Sequence, residues 1–417
     1  MSTVRSSRRT RKILATTGIA AAAVLATTLG SYAVVRAIPA QFPLVYSERL
    51  DPTTTTAVTV ADPAAALTFA RVQTDHGPSV LAVTGYDDDT IRGTDVNTAA
   101  GTAFTDPISA FNALGYTRLQ QIATGASAPD VTVAADEVLP SFETHAHHVG
   151  TGTNYAEHQA EATIEEPFLF PKIAEITGSH DDLPVGEGLL DYEVELGLVA
   201  LDDITAETGV PQHMGLVLSN DWTDRELLTQ QIEPDNLTGG AGFTNAKSQP
   251  GFLSTGNLFV IPADWQSYYK SLQLDLFVNG DLRQRAKPVD MIWDAPTMIA
   301  KTLAAGTNTW DSDGTPTQLT ERTGVITRGT ILQSGTPEGV VYRAPDTRQR
   351  FLGFMEYAGS LGTNADSIVD SALTVYVRDA HGAGVYLKPG DQIVTRADGL
   401  GQILTTISAG ERPQTES

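Results

Sequence analysis

Three acidic side chains within one short apolar stretch are the first residues of this sequence whose spacing could do chemistry. The stretch Leu189–Val199 places Asp191, Glu193 and Glu195 at every second position among hydrophobic residues. In a β-strand such side chains share one face, with about 6.5–7 Å between neighbours. Two glutamates could therefore converge on one cation, and oxygen-only ligands favour Mg²⁺, Mn²⁺ or Ca²⁺ over zinc. The alternative is an ordinary strand whose polar face lies in solvent.

A second candidate group follows the next predicted strand. Met214–Ser219 is apolar enough for a buried strand, and Asn220–Trp222 ends it. This places Asp221 at a strand end, where ligands commonly lie in such folds. Thr223–Glu226 has the pattern of a capping box that opens a helix. Arg225 would then lie in the first helical turn, where the helix dipole disfavours a cation. We interpret Arg225 as an anion-binding group, with a surface salt bridge as the alternative.

A cluster of histidines is a competing metal signal. His145, His147 and His148 fall within four residues and could bind zinc or iron. A cupin-like oxygenase or a metallohydrolase would then be the interpretation. We instead expect these side chains to lie in a strand or in the wall of a pocket.

The composition excludes several classes of protein. The chain has 417 residues, of which 41% are hydrophobic and 18% charged, so it can bury a sizeable core. Its net charge of -23 would repel nucleic acid phosphates, which disfavours a nucleic-acid partner. The chain contains no cysteine, which excludes thiol catalysis, disulfides and cysteine-based zinc sites.

The N-terminus has the pattern of a membrane-targeting segment. Five basic residues between Arg5 and Lys12 precede the uncharged run Ile13–Val35. As a helix this run would span about 35 Å, enough to cross a bilayer. We expect an uncleaved anchor or a signal helix, with the rest of the chain membrane-anchored or exported and extracytoplasmic. A cytoplasmic location is the alternative.

The elements that must position these residues are mostly strands. We divide the chain into a targeting segment (1–36), a linker (37–60), a small β-rich module (61–139) with one helix at Pro107–Ala123, and a larger β-rich domain (140–410). In that domain we predict strands at Leu189–Ala200, Met214–Ser219, Leu272–Val278, Leu373–Val377 and Gln392–Arg396, and helices at Asp224–Gln231 and Asp294–Leu303.

From about residue 140 to 405 the chain resembles the C-terminal catalytic domain of the fumarylacetoacetate hydrolase family. Gly152–Glu161 resembles the family's Gly-x-Asn-Tyr-x-x-His-x-x-Glu segment, and Asp191–Leu196 resembles its strand of metal-binding glutamates. Ser219–Arg225, Lys247–Phe252, Ser334–Val340 and Leu387–Asp391 resemble further segments in family order. Each segment is weak alone, but their joint order makes chance similarity improbable.

The resemblance implies a β-rich α+β fold with a mixed β-sandwich roll, usually assembled as a homodimer. It also implies a site: metal ligands Glu193, Glu195 and Asp221; an acid/base pair His158 and Glu161; Lys247 at the developing oxyanion; and Arg225, Thr336 and Tyr155 as substrate contacts. Mg²⁺ is the expected cation, with Mn²⁺ or Ca²⁺ as alternatives. The pair is chemically sensible, because a histidine can take a proton from water at neutral pH.

The function that follows from the resemblance is hydrolysis of a carbon–carbon bond in a small 1,3-dicarbonyl or acylpyruvate-type 2-oxo acid. Hydratase, decarboxylase or isomerase activity on 2-oxo or 2-hydroxydienoic acids in the same fold is the first alternative. A non-catalytic extracytoplasmic binding protein is the second. The stretch 341–386 exceeds the family's usual link, and we expect it to form a lid or a dimer contact.

Overall fold

The computed structural model describes residues 30–43, 58–87, 89–125, 129–233, 236 and 239–410. The chain divides into two compact units. The hairpin unit comprises Met1–Phe42 and Pro345–Gly384, and the sheet unit comprises Pro43–Ala344 and Val385–Ser417. In the described ranges, no helix is both long enough and apolar enough to cross a bilayer. Most of the run Ile13–Val35, which the sequence predicts to be a transmembrane or signal helix, lies outside the described residues. Most of the predicted linker also lies outside them. The boundaries of the linker (37–60) and of the small β-rich module (61–139) stay predictions.

Strands dominate the sheet unit. They are β1 (Ala66–Thr74), β2 (Gly77–Asp87), β3 (Thr90–Asp95), β4 (Asp130–Ala134), β5 (His147–Gly152), β6 (Phe168–Ile173), β7 (Ile176–Thr177), β8 (Leu183–Val185), β9 (Leu190–Asp191), β10 (Val194–Val199), β11 (Gly215–Asp221), β12 (Thr223–Asp224), β13 (Leu253–Thr255), β14 (Phe259–Pro262), β15 (Leu274–Val278), β16 (Asp281–Ala286), β17 (Thr309–Ser312), β18 (Thr315–Gln318), β19 (Ile331–Gln333), β20 (Gln392–Ala397) and β21 (Gly401–Ala409).

The helices are shorter and lie between the strands. They are α1 (30–37), α2 (Val96–Ala100), α3 (Pro107–Thr124), α4 (Ala156–Ala162), α5 (Arg225–Gln231), α6 (Ala241–Lys247), α7 (Trp265–Tyr268), α8 (Ala295–Ala304), α9 (Thr347–Gly359) and α10 (Ile368–Ala383). The predicted helices at 107–123, 224–231 and 294–303 are confirmed to within a residue at each end. The first turn of α5 is capped by Asp224, whose carboxylate accepts from the N–H groups of Glu226 and Leu227, and not by Thr223 as the capping-box pattern suggested.

One large mixed sheet organises the sheet unit. Its strand order is β4-β3-β2-β1-β14-β11-β10-β19-β5-β6, with β13 and β7 attached beside β11. A second sheet has the order β16-β15-β20-β21-β8. Because β1 pairs with β14, the strands of the predicted N-terminal module continue the sheet of the larger domain. Together these sheets confirm a sheet-rich mixed α and β fold.

The hydrophobic core lies between the N-terminal half of the large sheet and α3. Asp106 caps α3 through the N–H of Ile108, and Pro107 occupies the first turn, where its missing N–H costs nothing. Leu119 and Ile122 of this helix pack with Phe69 of β1 in one buried cluster. The helix therefore closes one face of the strands that support β11 and β10.

The acidic stretch forms two strands instead of the single predicted one. β9 and β10 are separated at Tyr192 and Glu193, and β10 then pairs antiparallel with β11, placing Glu195 opposite Ser219. Every residue of β10 and β11 is buried. The polar face of this stretch is thus inside the protein, which excludes the alternative of an ordinary solvent-facing strand.

At one end of the large sheet, β6 is the last strand among the described residues. It pairs with β5 so that Lys172 lies opposite His148. The N–H of Ile173 lies on the side of β6 away from β5 and donates to Ser248 Oγ at 2.9 Å. Two positions earlier on the same side of the strand, Pro171 has no N–H to donate. This edge therefore offers few free backbone donors.

The predicted strand Leu373–Val377 is wrong. These residues lie within α10, which begins after the N-cap Ser367 and ends before Gly384 in a left-handed conformation. A short apolar run cannot be assigned to a strand or a buried helix by periodicity alone, and the capping residues decide it here. The stretch 341–386 thus contains a helical hairpin made of α9 and α10.

Candidate active site

Three carboxylates converge at the centre of the large sheet. Oxygen atoms of Glu193, Glu195 and Asp221 all lie within 4.8 Å of one another, and all three side chains are buried. Elsewhere in the described ranges, no other group of His, Cys, Asp or Glu side chains has metal-binding geometry. The antiparallel pairing of β10 with β11 brings the three together, because residues 193–195 and 219–221 lie side by side.

Two lysines neutralise part of this acidic cluster. Lys247, at the end of α6, donates from Nζ to Glu193 Oε2 at 2.7 Å and to Asp221 Oδ2 at 2.8 Å. Lys172 of β6 donates to the other oxygen of Asp221 and to the backbone carbonyl of Phe252 at 2.8 Å. Both ammonium groups are buried, which would be costly without these carboxylate partners.

Arg225 is bound to the chain's own carboxylates. Its Nε donates to Asp191 Oδ2 at 2.9 Å, and its Nη2 pairs with Glu193. The guanidinium also lies over the ring of Tyr342, 5.3 Å from the ring centre. Asp191 is held in turn by the backbone N–H groups of residues 341 and 342. The anion that Arg225 binds in this structure is therefore part of the site itself.

Glu193, just before β10, and Glu195, within β10, have pKa values shifted in opposite directions. Burial alone would raise the pKa of Glu193, but the charges of Lys247 and Arg225, with a smaller contribution from His158, lower it to about 2. Burial, reinforced by the charges of Asp221 and Glu193, raises the pKa of Glu195 well above its usual value. Of these two glutamates, Glu195 is therefore the one whose carboxyl group keeps its proton to higher pH.

A glycine turn supplies one hydrogen bond to Glu195. The N–H of Gly335 donates to Glu195 Oε2 at 3.0 Å. Gly335 has a φ of +82°, and a Cβ there would lie 2.9 Å from both the Cβ of Asn154 and the carbonyl oxygen of Thr151. Asn154 cannot move away easily, since its amide donates to the carbonyl of Ser334 at 2.9 Å. Only glycine fits this position of the Gly-Thr-Pro turn.

The proposed acid/base pair is joined on one helix. His158 and Glu161 are three residues apart on α4, and His158 Nδ1 lies 3.1 Å from Glu161 Oε2. The other oxygen of Glu161 accepts from the N–H of Gly339 at 3.0 Å and from Arg343 Nη2 at 2.8 Å. The carboxylate is therefore oriented by groups on both sides, and it fixes the ring of His158.

Thr336 and Tyr155, the other two predicted substrate contacts, are buried near the three carboxylates. The hydroxyl of Thr336 donates to the carbonyl of Val194 at 3.2 Å and accepts from Gln284 at 2.8 Å, so it is engaged within the protein. The hydroxyl of Tyr155 makes no hydrogen bond of normal geometry within the described part of the chain. Burial, with a smaller contribution from the charge of Glu195, raises the pKa of Tyr155.

The histidine cluster has structural partners instead of a shared ligand position. His145 Nε2 lies 3.0 Å from the hydroxyl of Thr327, and His147 Nε2 lies 3.0 Å from the carbonyl of Gln318. His148 is buried and accepts from a backbone N–H through Nδ1. The three side chains are not grouped as metal ligands, and our expectation of a strand position holds for His147 and His148, which begin β5.

Two charged residues of the site escaped the sequence analysis. Lys172 lies in an apolar edge strand, and a single lysine within such a run was its one available signal. Arg343 follows the Gly-Thr-Pro turn, but its contact with Glu161 joins residues far apart in sequence. The donor set itself fits a hard divalent cation, because it consists of carboxylate oxygens alone and is largely shielded from water.

Comparison with known proteins gives a consistent picture. Residues 147–408 match the family described as "Fumarylacetoacetate (FAA) hydrolase C-terminal". The chain is similar to the "Homoprotocatechuate catabolism bifunctional isomerase/decarboxylase" of Escherichia coli, with 31% identity over 176 residues, which is 38% of this chain and 38% of that one. It is also similar to the mitochondrial oxaloacetate tautomerase FAHD1 of Oryza sativa subsp. japonica, with 28% identity over 204 residues, which is 46% of this chain and 78% of that one.

A solved structure shares the fold. The fumarylacetoacetate hydrolase of psychrophilic Exiguobacterium antarcticum matches with a TM-score of 0.53 and 19% identity, covering 82% of this chain and 100% of that one. At this identity the likeness shows the fold alone. The chain spans well under half the length of the bifunctional E. coli relative and most of the length of the rice relative.

Proposed function

The chain belongs to the fumarylacetoacetate hydrolase family, and from this premise we propose that it is a divalent-cation-dependent enzyme acting on a small 2-oxo acid through its enolate. One observation carries the proposal: oxygen atoms of three buried carboxylates lie within 4.8 Å of one another, where they could share a cation. The charge of His158, which is joined to Glu161, also contributes to the lowered pKa of Glu193. A bound Mg²⁺ would stabilise negative charge on the substrate's oxygens.

The chain's own residues divide the remaining work. Glu161 accepts a hydrogen bond from the Nδ1–H of His158. The lone pair of Nε2 can then take a proton from water or from a carbon next to a carbonyl. Lys247 supports the developing oxyanion, because its ammonium already lies between two of the proposed ligands. Tyr155 offers a buried hydroxyl to the substrate, while Arg225 and Thr336 would have to exchange present partners to reach it.

Carbon–carbon bond hydrolysis of an acylpyruvate is the first candidate reaction. Water, deprotonated by His158, attacks the acyl carbonyl; the bond to the neighbouring carbon breaks; and the enolate of pyruvate receives the proton. Tautomerisation of a 2-oxo dicarboxylate such as oxaloacetate is the second candidate. It needs the same pair only to move one proton, and the rice relative that is matched over most of its length is named an oxaloacetate tautomerase.

A substrate panel distinguishes these reactions. The protein, with Mg²⁺ or Mn²⁺ and then with excess chelator, is assayed on acylpyruvates and on oxaloacetate. Hydrolysis gives pyruvate and a second carboxylate in equal amounts, and decarboxylation releases carbon dioxide. Tautomerisation speeds the conversion of freshly dissolved enol-oxaloacetate to the keto–enol equilibrium without loss of oxaloacetate. We expect turnover that the chelator abolishes.

Variants test the site assignment. Glu193→Gln should lose activity with the cation present, and His158→Asn should lose about 10²–10⁴-fold if it transfers a proton. Glu187→Gln, at an exposed glutamate outside the cluster, should retain activity. Turnover of Glu193→Gln equal to that of the unmodified protein would contradict the proposal.

A further inference from the structure

Exposed apolar side chains concentrate on the hairpin unit. In the described ranges, nine large hydrophobic side chains are exposed, and six of them belong to this smaller unit: Val34, Ile38, Phe354, Leu361, Ile368 and Val369. Leu361 is 90% exposed. Scattered single residues of this kind need no explanation, but a concentration in one small unit marks an interaction surface.

Four of these side chains gather at one end of the hairpin. Phe354 lies in the second half of α9, Leu361 lies in the connection, and Ile368 and Val369 open α10. The two helices pack side by side near this end, where a Cβ on Gly353 would lie 2.6 Å from the backbone of Ala372. We call residues 354–369 the hairpin tip.

The helix α1 runs antiparallel to α9. Near the start of α1, the hydroxyl of Tyr32 donates to Glu356 at 3.0 Å, close to the hairpin tip. Just after the end of α1, the carbonyl of Ile38 accepts from Arg348 Nε at 2.7 Å, at the opposite end of α9. Residue 30, where the description of α1 begins, therefore lies at the tip end of the hairpin.

The sequence that leads to residue 30 is apolar and uncharged. Ile13–Leu29 contains no charged residue and continues directly into α1. The hairpin itself carries only two charged residues between Phe351 and Val369, namely Glu356 and Asp366, and no basic residue. Glu356 is paired with Arg378 at 2.9 Å. The hairpin tip therefore has no basic residue that could attract anionic lipid headgroups, and its apolar side chains would have to provide the affinity for a membrane.

We propose that the hairpin tip docks into the surface of a lipid bilayer, at the end of the hairpin where the uncharged sequence Ile13–Leu29 leads into α1. Burying exposed Phe, Leu, Ile and Val side chains among acyl chains is favourable in proportion to the apolar area removed from water. A second copy of the chain could also cover an apolar surface. The uncharged sequence that precedes residue 30, at this end of the hairpin, favours lipid.

The absence of cysteine allows a direct test. Leu361→Cys introduces a unique thiol for an environment-sensitive fluorophore, and Val289→Cys, at an exposed apolar position of the sheet unit, is the matched control. The full chain is reconstituted with neutral phosphatidylcholine vesicles. At 361 we expect emission shifted to shorter wavelength and quenched by a quencher attached to lipid, and at 289 neither change.

Three outcomes would overturn the proposal. The label at 361 could respond no more than the label at 289, or the reconstituted chain could fail to float with the vesicles. The shift at 361 could also appear without vesicles and grow with protein concentration, which would indicate self-association. Equal quenching in vesicles containing phosphatidylglycerol, and at high salt, would support apolar docking, whereas a response confined to anionic vesicles would contradict it.

Discussion

Arg343 and His158 bind opposite oxygens of one carboxylate, that of Glu161, at 2.8 and 3.1 Å. Arg343 is itself fixed by the carbonyl of Tyr342, which accepts from its Nη1 at 2.7 Å. The arginine therefore does not touch the proposed metal ligands, yet it orients the residue that orients the base. This arrangement makes Arg343 a positioning residue.

Replacing Arg343 should lower the catalytic rate more than the apparent substrate affinity. In Arg343→Gln the carboxylate of Glu161 keeps the N–H of Gly339 but loses its cation, so the ring of His158 is held less firmly. We expect kcat to fall about tenfold with KM little changed, because general acid–base catalysis contributes about 10²–10⁴-fold in total. The pH–rate profile should shift as well. Arg343→Lys should restore part of the rate.

Arg92→Gln provides the control for this prediction, since Arg92 is half-exposed and pairs loosely with Asp87. It should leave kcat and the pH profile unchanged. A normal kcat in Arg343→Gln, or a loss explained wholly by lower folding stability in urea titrations, would remove the positioning role.

Binding of Mg²⁺ should release a proton from Glu195. Burial and the charges of Asp221 and Glu193 raise the pKa of Glu195, so the folded protein retains a proton that the unfolded chain would give up. The contribution of Glu195 to stability is therefore largest at low pH. It falls as the pH rises from the pKa of this group in the unfolded chain to its raised pKa in the folded protein. Cation binding requires the carboxylate, so Mg²⁺ affinity should increase with pH over that window.

Calorimetry in buffers of different ionisation enthalpy measures the released proton directly. Glu195→Gln should bind Mg²⁺ more weakly and without this proton release. Mg²⁺ binding that is independent of both pH and buffer in the unmodified protein would contradict the assigned protonation.

Removing the ammonium of Lys172 should destabilise the protein strongly. Lys172→Met removes the donor to one oxygen of Asp221 and one of the donors to the carbonyl of Phe252, which also accepts from the N–H of Trp222 at 3.3 Å. Breaking a buried ion pair from one side costs about 3–5 kcal/mol in the free energy of unfolding. Mg²⁺ should recover part of this loss by supplying charge to Asp221. Urea titrations with and without Mg²⁺ measure both effects.

The exposed Lys270 offers the comparison, because Lys270→Met should change the free energy of unfolding by no more than about 0.5 kcal/mol. Equal stability of the two lysine variants would show that the interaction between Lys172 and Asp221 contributes nothing to the free energy of unfolding.

Gly335→Ala should weaken both folding and cation binding. Its positive φ strains any L-residue by about 1–3 kcal/mol, and its Cβ would also meet Asn154 at 2.9 Å. Relief of that contact would move the N–H that donates to Glu195. Gly324 has a φ of +72° with open space around it, so Gly324→Ala carries the strain without the collision.

The difference between these glycine variants isolates the close contact. We expect Gly335→Ala to lose more stability in urea than Gly324→Ala, and to bind Mg²⁺ more weakly in calorimetric titrations. Equal Mg²⁺ affinity in the two variants would show that the turn does not hold Glu195 in its binding position.

The parts of this protein that are encoded locally could be predicted from the sequence. The alternation around Glu193 and Glu195 predicted a strand, and the resemblance to the family implied that both glutamates would lie near Asp221, as they do. The assignment of Leu373–Val377 to a strand failed because short apolar runs suit both a strand and a buried helix. Lys172 and Arg343 were missed because their partners are 49 and 182 residues away.

The edge strand β6 has a consequence for association between chains. A strand with a free row of N–H groups can recruit another strand, and a shift of one residue in its pairing would turn every side chain to the opposite face. Pro171 and the bond between Ile173 and Ser248 remove two successive donors from that row. The edge of β6 is therefore a poor template for the addition of another strand, as in amyloid. A shift in the register of this same strand would move Lys172 away from Asp221.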